Sequence, residues 1–595
     1  MKNKFKLMNS LLSAIAIAPF ATTIASCSKD EYESLAEQWT DEAIDKFVNV
    51  VCPVHRPTFH TKAIQEAIVE YLVTKCGYTE QQITVGTKYK GGDEKDGGQN
   101  IMFDIPATKG YENAPFVGLQ GHMDMVCKGT CVKEEVGVEP VIDGDYIHSK
   151  DWQSSLGADN GIGLAIMLAL AKNPNLIPHP KLRIFMTADE EDGDGGAVTI
   201  KEETTDWLAE NPSNPNSRKV KYFFNIDQEL VDTITTACGG VRQAQLATVD
   251  PDTGKLIPGV VYTPVKLTEG QVSELKQYQF NIEGLMGLHS ADAHKVHSTS
   301  ALKVMADLGL TICSVDKTAN LLMAVSDPIF VEAPEGGHWE SQGSGGTVAS
   351  SCRMVINTIL DYDEIKDLVD LKLNDYKLSY PEEKNLKINY FKLLFPYEYG
   401  MSASETHDLL QLIWNLPFGI VQQHKTYDVP ATSMNIGPLV VPPFTDGKDK
   451  EVTLEIFGRS FYEENLASDN GLIMNLVQNV LTNVFKKDNI TFDPSVGYNC
   501  AWDIEPQTTV NKLIHQAADK FGYEMKDIYE LGWLESAAFK DLDKFKHKDK
   551  AEMEVTSIGP LVEHYHETKE TVYIPSIVQL LKMLIYALEQ ICHMN

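Results

Sequence analysis

The sequence lacks an excess of basic residues, a CxxC pair and, after residue 26, any apolar run long enough to cross a membrane. Lys and Arg number 52 while Asp and Glu number 84, so the formal net charge is −32. This charge argues against nucleic acid as a partner, and the missing apolar run argues against a transmembrane body. With 43% hydrophobic residues, the chain has the composition of a globular protein. Its 595 residues suggest two or more domains.

The first 26 residues have the pattern of an export signal. Three lysines near Met1 make a basic start, and Leu11–Ala21 is an apolar stretch too short to span a bilayer. Small residues then precede Cys27, which resembles the cleavage box of a bacterial lipoprotein. We therefore predict a lipoprotein signal peptide over residues 1–26. A lipid anchor on Cys27 would place the protein in the bacterial cell envelope, at the outer membrane. An ordinary cleaved signal peptide is the alternative.

The ten cysteines are scattered along the chain. Apart from Cys27, most are predicted to be small buried apolar residues, and none is predicted to be a thiol nucleophile. Cys127 and Cys131 lie close together, and an oxidising compartment would permit a disulfide between them. The sequence leaves this pairing open.

Four segments each lie next to an apolar run, and each either ends in acidic residues or contains a histidine. In chain order they are GLQGHMDMV (Gly118–Val126), SLGADNGIGLAIMLAL (Ser155–Leu170), FMTADEEDGDGG (Phe185–Gly196) and FFNIDQE (Phe223–Glu229). An HxD or EE alone is usually a solvated loop. Four such segments in succession indicate a metal site assembled from the ends of strands.

The residue types in these segments fit metal chemistry. His122 and Asp124 are two residues apart, so on an extended chain their side chains point to the same side. A carboxylate there can hold the second imidazole nitrogen and fix the tautomer that binds metal. Glu190 and Glu191 are adjacent, so one can bind metal while the other faces a bound water. A set of imidazole and carboxylate ligands suits zinc, with manganese or cobalt as alternatives.

The motifs GHMDMV, LGADNGIG, TxxEE and NxD, with a late SIGP and a histidine, resemble those of the aminoacyl-histidine dipeptidases. These enzymes belong to the zinc aminoacylase and carboxypeptidase superfamily of metallopeptidases. The resemblance covers nearly the whole chain after Glu33. It implies two metal ions, a general base and an orienting carboxylate. The implied metal ligands are His122, Asp159, Glu191, Asp227 and His566, with Asp159 bridging both ions; Glu190 is the implied base, and Asp124 is the implied orienter of His122.

The second metal needs a histidine from much further along the chain. The SIGP segment, Ser557–Pro560, is followed by His566, and Glu570 comes four residues later in the family's H-x-x-x-E spacing. His564 is the close alternative, and the spacing from SIGP favours His566. An ELGWLESAAF stretch loosely resembles the family's HAGLE motif, with Glu535 as the counterpart of its Glu, but the His of that motif is absent.

The sequence pattern changes after Cys238, and this change predicts a second domain. The middle of the chain mixes strand-like and helical runs, and the resemblance implies a lid that closes over the metal site and often mediates dimers. Within it, Gly284–Ser290 looks like the family's GGHSG turn, although Leu288 replaces a glycine. His289 would then steady the oxyanion of the reaction. The alternative is that His289 is a surface residue in a His-rich turn.

The predicted fold class is α/β. From Ala36 to Cys238 strand-like and helix-like stretches alternate, which indicates a mixed, partly parallel sheet flanked by helices. We predict this as the catalytic domain, with an α+β lid domain inserted into it. The predicted bounds are 1–26 for the signal peptide, 27–240 and 490–595 for the catalytic domain, and 241–489 for the lid.

The predicted reaction is hydrolysis of dipeptides, of the Xaa-His type or broader. A water shared by two metals would attack the peptide carbonyl, and Glu190 would take its proton. The altered lid turn keeps a second candidate open, an aminoacylase or other amide hydrolase of the same superfamily. A third candidate is an inactive surface lipoprotein that captures peptides. The expected partners are a short peptide and a second copy of the chain in a homodimer, with the membrane reached only through the lipid on Cys27.

Overall fold

Two large β-sheets, of eight and eleven strands, organise the residues that the structure describes. The structure is a computed structural model, and it describes residues 28–89, 96–191, 196–214, 216–273, 276–332 and 337–594. The predicted signal peptide and Cys27 lie outside these ranges. The first sheet is built from the two ends of the described chain, and the second is built from its middle.

The first part of the chain alternates strands and helices, as its sequence predicts. Its strands are β1 (Ile83–Val85), β2 (Ile101–Ile105), β3 (Phe116–His122), β4 (Pro140–Asp143), β5 (Tyr146–Ser149), β6 (Leu182–Thr187), β7 (Val220–Asn225) and β8 (Thr233–Cys238). Its α-helices are α1 (Lys29–Lys46), α2 (Lys62–Tyr71), α3 (Thr130–Glu134) and α4 (Ala158–Lys172). Both α1 and α2 continue into a π-helical turn, at Phe47–Val51 and Leu72–Cys76. Ser28 caps α1, because its side chain accepts a hydrogen bond from Glu31 N at 3.3 Å.

The middle part of the chain is richer in strands. They are β9 (Gly240–Val249), β10 (Leu256–Pro258), β11 (Val260–Tyr262), β12 (Val265–Lys266), β13 (Gln277–Glu283), β14 (Asn320–Ser326), β15 (Pro328–Val331), β16 (His338–Ser341), β17 (Cys352–Asn357), β18 (Lys387–Lys392), β19 (Tyr399–Gly400), β20 (Gly419–Gln423), β21 (Pro430–Val441), β22 (Lys450–Ser460) and β23 (Ile490–Asn499). The helices are α5 (Glu269–Ser273), α6 (Ala301–Val315), α7 (Tyr362–Ser379), α8 (Ala403–Asn415) and α9 (Leu472–Val480).

The last part of the chain returns to the first sheet. Its helices are α10 (Thr509–Phe521), α11 (Glu535–His547) and α12 (Ile574–Cys592). Its strands are β24 (Lys526–Glu530), β25 (Glu554–Ser557), β26 (Val562–Glu563) and β27 (Thr571–Tyr573). Strands β24 and β25 join the first sheet, while β26 and β27 form a small sheet with β5 and β4.

The first sheet is parallel in its middle. Its strand order is β1-β2-β6-β3-β7-β25-β8-β24. The neighbours β6, β3, β7 and β25 all run in one direction, so their carboxyl ends meet at one edge, where open α/β sheets bind ligands. Strand β3 is buried along its whole length, as expected of a parallel strand that is covered on both faces.

The second sheet is antiparallel along its main path. That path is β10-β9-β22-β21-β14-β17-β13-β18, with β11, β20 and β23 pairing alongside it. Helices α6 and α8 pack together, and their apolar side chains form one core with those of the second sheet. This core is separate from those of the first sheet.

Helices cover both faces of the first sheet. On one face, α1 packs on α4 and α12, and α12 also packs on α10. On the other face, Phe539 of α11 packs on Phe185 and Phe223, with ring centroids 4.9 and 4.5 Å apart. By length and composition α12 could span a membrane, but 67% of its apolar window is buried inside the protein. Its contacts make it a core helix of the first sheet.

The predicted fold class is confirmed, with a mixed, partly parallel sheet between helices and a separate α+β unit. The pairing that the sequence left open is present, because Cys127 and Cys131 form a disulfide. The predicted domain bounds stay a prediction. Since β23 pairs with β9 in the second sheet, we propose that the lid extends through Asn499 instead of ending at residue 489.

Candidate active site

A first cluster of ligand atoms surrounds the end of β3. His122 Nε2 lies 3.1 Å from Asp159 Oδ1 and 3.2 Å from Asp227 Oδ1. Two ligands of one tetrahedral ion, each at about 2.0–2.1 Å, are separated by about 3.3 Å. The three side chains therefore have the spacing of ligands to a single metal.

A second cluster shares Asp159 with the first. His566 Nε2 lies 2.7 Å from Glu191 Oε2 and 3.2 Å from Asp159 Oδ2. The two oxygens of Asp159 thus face different histidines, with Oδ1 toward His122 and Oδ2 toward His566. This is the arrangement of a carboxylate that bridges two metal ions.

The electrostatics of the site fit divalent cations. Burial alone would lower the pKa of His122, but the carboxylates of Asp227, Asp124 and Asp159 outweigh it and raise that pKa. Burial likewise opposes the shift at His566, yet Asp159 and Glu191 raise the pKa of His566 to about 11. The carboxylates around the two imidazoles place an excess of negative charge at the site, which protons or metal ions can neutralise. The donor set of carboxylate oxygens and imidazole nitrogens is one that divalent metals accept.

Asp124 holds both the first histidine and the acidic loop. Its Oδ1 lies 2.9 Å from His122 Nδ1, so the other ring nitrogen is left facing the cluster. The backbone N–H groups of Glu190 and Glu191 donate to the same carboxylate at 3.0 and 3.2 Å. Thr58 Oγ1 donates to Asp124 Oδ2 at 2.9 Å. One buried carboxylate therefore sets the position of three predicted site residues.

Glu570 and Arg56 hold the turn that carries Asp159. The Glu570 carboxylate accepts hydrogen bonds from four successive backbone N–H groups, those of residues 156–159, at 2.7, 2.8, 2.8 and 3.3 Å. The Arg56 guanidinium donates to the carbonyl oxygens of Met123, at 2.9 Å, and of Gly157. Gly157 has φ +71°, and a Cβ there would lie 2.6 Å from Arg56 Nη2, so the turn requires glycine.

The acidic edge opens into a cavity of about 700 Å³ between the two sheets. Glu190 lines this cavity and is not a member of either ligand cluster. Burial, reinforced by Asp227 and Glu191, raises the pKa of Glu190 well above its usual range. A carboxyl group with a raised pKa, next to ligand clusters and open to a cavity, is suited to moving a proton.

The second sheet contributes His289 and Arg459 to the same cavity. Arg459 Nη2 donates to His289 Nε2 at 3.0 Å, so His289 is neutral in this contact. Burial, together with Arg459, lowers the pKa of His289 to about 4. The other described partners of Arg459 are also neutral, namely Ser290 Oγ at 2.9 Å and Leu531 O at 3.2 Å.

The structure brings together the five predicted metal ligands with Glu190, Asp124 and His289, and it leaves His564 outside. His564 points away, with its side chain 61% exposed and Nδ1 3.7 Å from Glu567. Glu535 is buried behind the site and accepts from Gln120 Nε2 at 2.6 Å, and burial raises the pKa of Glu535 to about 8. Sequence reasoning missed Arg459 because no motif marks it. It also missed Glu229, although this residue closes the fourth acidic segment.

The fold and the paired clusters first define a class, that of α/β proteins with two adjoining clusters of metal-ligating side chains at the edge of a parallel sheet. No family model matches the chain. The chain is 23% identical over 554 residues to the cytosol non-specific dipeptidase of Escherichia coli (strain K12), covering 91% of this chain and 96% of that protein. The solved structure of the aminoacylhistidine dipeptidase from Vibrio alginolyticus superposes with a TM-score of 0.64 at 20% identity, covering 96% of this chain and 98% of that chain. The predicted resemblance to these dipeptidases is therefore confirmed, and the predicted enzyme class agrees with both matches.

The predicted location in the cell envelope is wrong. The curated relative that matches nearly the whole chain is a cytosol protein, and no comparison supports the lipoprotein signal peptide or the lipid anchor on Cys27. A basic start, a short apolar stretch and small residues before a cysteine are weak, local signals. They predict location less firmly than a match over the full length of the chain.

Proposed function

We propose that this protein is a metal-dependent dipeptidase that uses two divalent ions. The observation that carries the proposal is Asp159, whose two carboxylate oxygens lie in different clusters, 3.1 Å from His122 and 3.2 Å from His566. His122 and Asp227 would complete one metal site, and Glu191 and His566 would complete the other. Zinc is the ion that this donor set favours, with manganese and cobalt as alternatives.

The roles of the remaining residues follow from their positions. Divalent ions held in these clusters would supply Lewis acidity and a bound water of lowered pKa. Glu190, which lines the cavity without being a ligand, takes a proton from the attacking water and later gives it to the leaving amine. Asp124 keeps the His122 ring oriented through the 2.9 Å contact at Nδ1. His289 lies on the opposite wall, where it can donate to the oxyanion of the reaction once its ring carries a proton on the nitrogen that faces the substrate.

Two ionisable side chains beyond the ligand clusters, Arg459 and Glu229, suit the two ends of a short peptide. Arg459 is buried and has neutral partners among the described residues, so its charge is available to a carboxylate. Glu229 lines the same cavity and can receive an α-amino group. A cavity with one cationic and one acidic anchor favours substrates with both ends free, which supports a dipeptidase over an enzyme for longer peptides.

The two matched proteins are described with different breadths of substrate specificity. The relative from Escherichia coli is described as non-specific, whereas the solved structure from Vibrio alginolyticus is described as an aminoacylhistidine dipeptidase. No side chain of the cavity that we have described selects a histidine over another residue. We therefore propose activity on dipeptides broadly, with Xaa-His among them. The predicted homodimer stays a prediction.

A substrate panel tests the proposal. Metal-free protein is assayed with zinc, manganese or cobalt restored, on Ala-His, Ala-Leu, Ala-Ala-Ala, acetyl-Ala-Leu and acetyl-Leu. The proposal predicts metal-dependent hydrolysis of both dipeptides, and a loss of roughly 100-fold or more in kcat/KM when the amine is acetylated, because an anchoring carboxylate is then unpaired. Preferred hydrolysis of acetyl-Leu would instead identify an aminoacylase. No hydrolysis with any metal would identify a protein that only captures peptides.

A further inference from the structure

A third group of metal-ligating atoms lies outside the active site. Among the described residues, His55, Cys127 and Cys131 each offer one ligand atom, and these atoms lie within 4.8 Å of one another. None of the three belongs to the clusters around Asp159. The first two also line a separate cavity of about 720 Å³, which shares no lining residue with the cavity of the active site.

The ring of His55 is arranged like a metal ligand. Its Nε2 is shielded from solvent and has no hydrogen-bond partner. The ring makes a hydrogen bond to the backbone of Cys131. Metal-binding histidines characteristically donate one ring nitrogen to a carbonyl and leave the other for the ion. Burial also lowers the pKa of His55, which favours the neutral imidazole, the form that binds metal.

The two sulfurs are bonded to each other in the structure, with a Cα–Cα distance of 5.5 Å. Reduction would give two thiols held beside His55 by the loop before α3 and by α3 itself. A soft divalent ion could then bridge two thiolates and an imidazole, which is a common ligand set for zinc. The adjoining cavity, lined also by His60 and Glu135, gives the ion an entry path and leaves a fourth position for a water or one of these side chains.

We propose that His55, Cys127 and Cys131 form a third metal site, which binds a thiophilic divalent ion such as zinc when the two cysteines are reduced. The disulfide and the metal complex are alternative states of the same site. A phosphine reductant with water supplies the two electrons and two protons that convert the disulfide into two thiols, and the phosphine becomes a phosphine oxide. Metal binding then releases both thiol protons.

Cobalt distinguishes this site from the active site by spectroscopy. Thiolate ligands give cobalt(II) an intense charge-transfer absorption in the near ultraviolet, whereas the nitrogen and oxygen ligands around Asp159 give only weak visible bands. Protein stripped of metal is split into an oxidised sample and a phosphine-reduced sample, and both are titrated with cobalt. We expect the reduced protein to bind about one more cobalt per chain than the oxidised protein and to show the charge-transfer band. This comparison needs no substitution.

Variants then assign the band to the three residues. The double variant Cys127→Ser, Cys131→Ser should lose both the band and the extra cobalt, and His55→Gln should weaken cobalt binding by roughly tenfold or more. The matched control is Cys76→Ser, which removes a half-buried free cysteine elsewhere and should change nothing. A reduced wild-type protein without the band overturns the proposal, as does a band that survives in the double variant.

Discussion

The two walls of the active-site cavity differ in charge and in origin. The wall at the edge of the first sheet is acidic. Its ligands come from segments that are far apart in the chain, because His122 and His566 both contact the carboxylate of Asp159. The opposite wall comes from the middle part of the chain and carries Arg459 and His289, which are in contact at 3.0 Å, together with Asp292. In the proposed function, the acidic wall holds metal, and Arg459 and His289 on the opposite wall hold the anionic parts of a substrate.

This difference implies a division of labour that can be tested. Changes on the acidic wall should alter metal content or the proton transfer, and so should act mainly on kcat. Changes on the opposite wall should leave metal content alone and act mainly on KM.

Loss of a ligand from the last part of the chain should have the largest effect. His566→Ala should lower bound metal from two ions to about one per chain and reduce kcat/KM by roughly 10⁴-fold, because several kcal/mol of metal-ion stabilisation is removed. Metal content by elemental analysis and peptide hydrolysis are the measurements. The control is His564→Ala, whose side chain is 61% exposed and which should behave as wild type. If His564→Ala loses the metal instead, the wrong histidine has been assigned.

Loss of the proton carrier should come next. Glu190→Gln should leave two metals bound and lower kcat by roughly 10² to 10⁴-fold, because only the transfer of the proton is removed. The neighbouring variant Glu191→Gln provides the contrast, since it should release metal. A Glu190→Gln variant that retains a rate within about tenfold of wild type would be incompatible with its role as base.

A change on the opposite wall should be smaller and of a different kind. Arg459→Met should lower kcat/KM by roughly 10 to 100-fold, chiefly through KM, while metal content stays at two per chain. Arg242→Met is the control, because Arg242 is also an arginine of the second sheet but donates to the carbonyl oxygens of Leu466 and Pro494 at 2.7 and 2.8 Å. An equal rise in KM in both variants would mean that Arg459 acts only through the stability of the lid.

A substitution inside the lid should lower the stability of the lid without changing kcat. Lys303 Nζ donates to the carbonyl oxygens of Ile413, Trp414 and Leu416 at 2.9, 2.6 and 2.6 Å, at the end of α8. Lys303→Met should lower the free energy of unfolding of the lid by roughly 1–3 kcal/mol, because buried carbonyl groups lose their donor. Thermal unfolding measures this, and kcat at 25 °C should not change. The exposed Lys317→Met serves as the control, and a loss of metal would contradict the separation of the two walls.

Most of the acidic wall could be predicted from the sequence because His122, Asp159, Glu191 and Asp227 each lie in a short motif next to an apolar run. Such motifs are local, and parallel strands bring their carboxyl ends together without further information. Even His566 could be located, since SIGP and the spacing to Glu570 surround it. Arg459 could not be located in this way. Its place on the cavity depends on how β22 pairs with β21 and β9 and on how the second sheet faces the first, and neither leaves a local pattern.

The same reason underlies the proposed extension of the lid to Asn499. Strand β23 pairs with β9 across a separation of more than two hundred residues, and the pattern of β23 alone does not reveal its partner. The predicted location is wrong for a different reason, because a short N-terminal pattern is only a local signal. Motifs of a few residues therefore did not predict the long-range pairing of strands or the cellular compartment of the protein.

The position of β25 has a consequence for the newly made chain. This strand lies between β7 and β8, yet it begins at Glu554, whereas β8 ends at Cys238. At about 5–20 residues per second of synthesis, the interval between them lasts roughly 15–60 s. For most of that time β7 lacks a neighbour on one side and β8 has neither β25 nor β24 to pair with, so both strands carry unpaired backbone groups. Ribosome-bound chains that stop before Glu554 should consequently be cut by proteases and held by chaperones far more readily than chains that include β25.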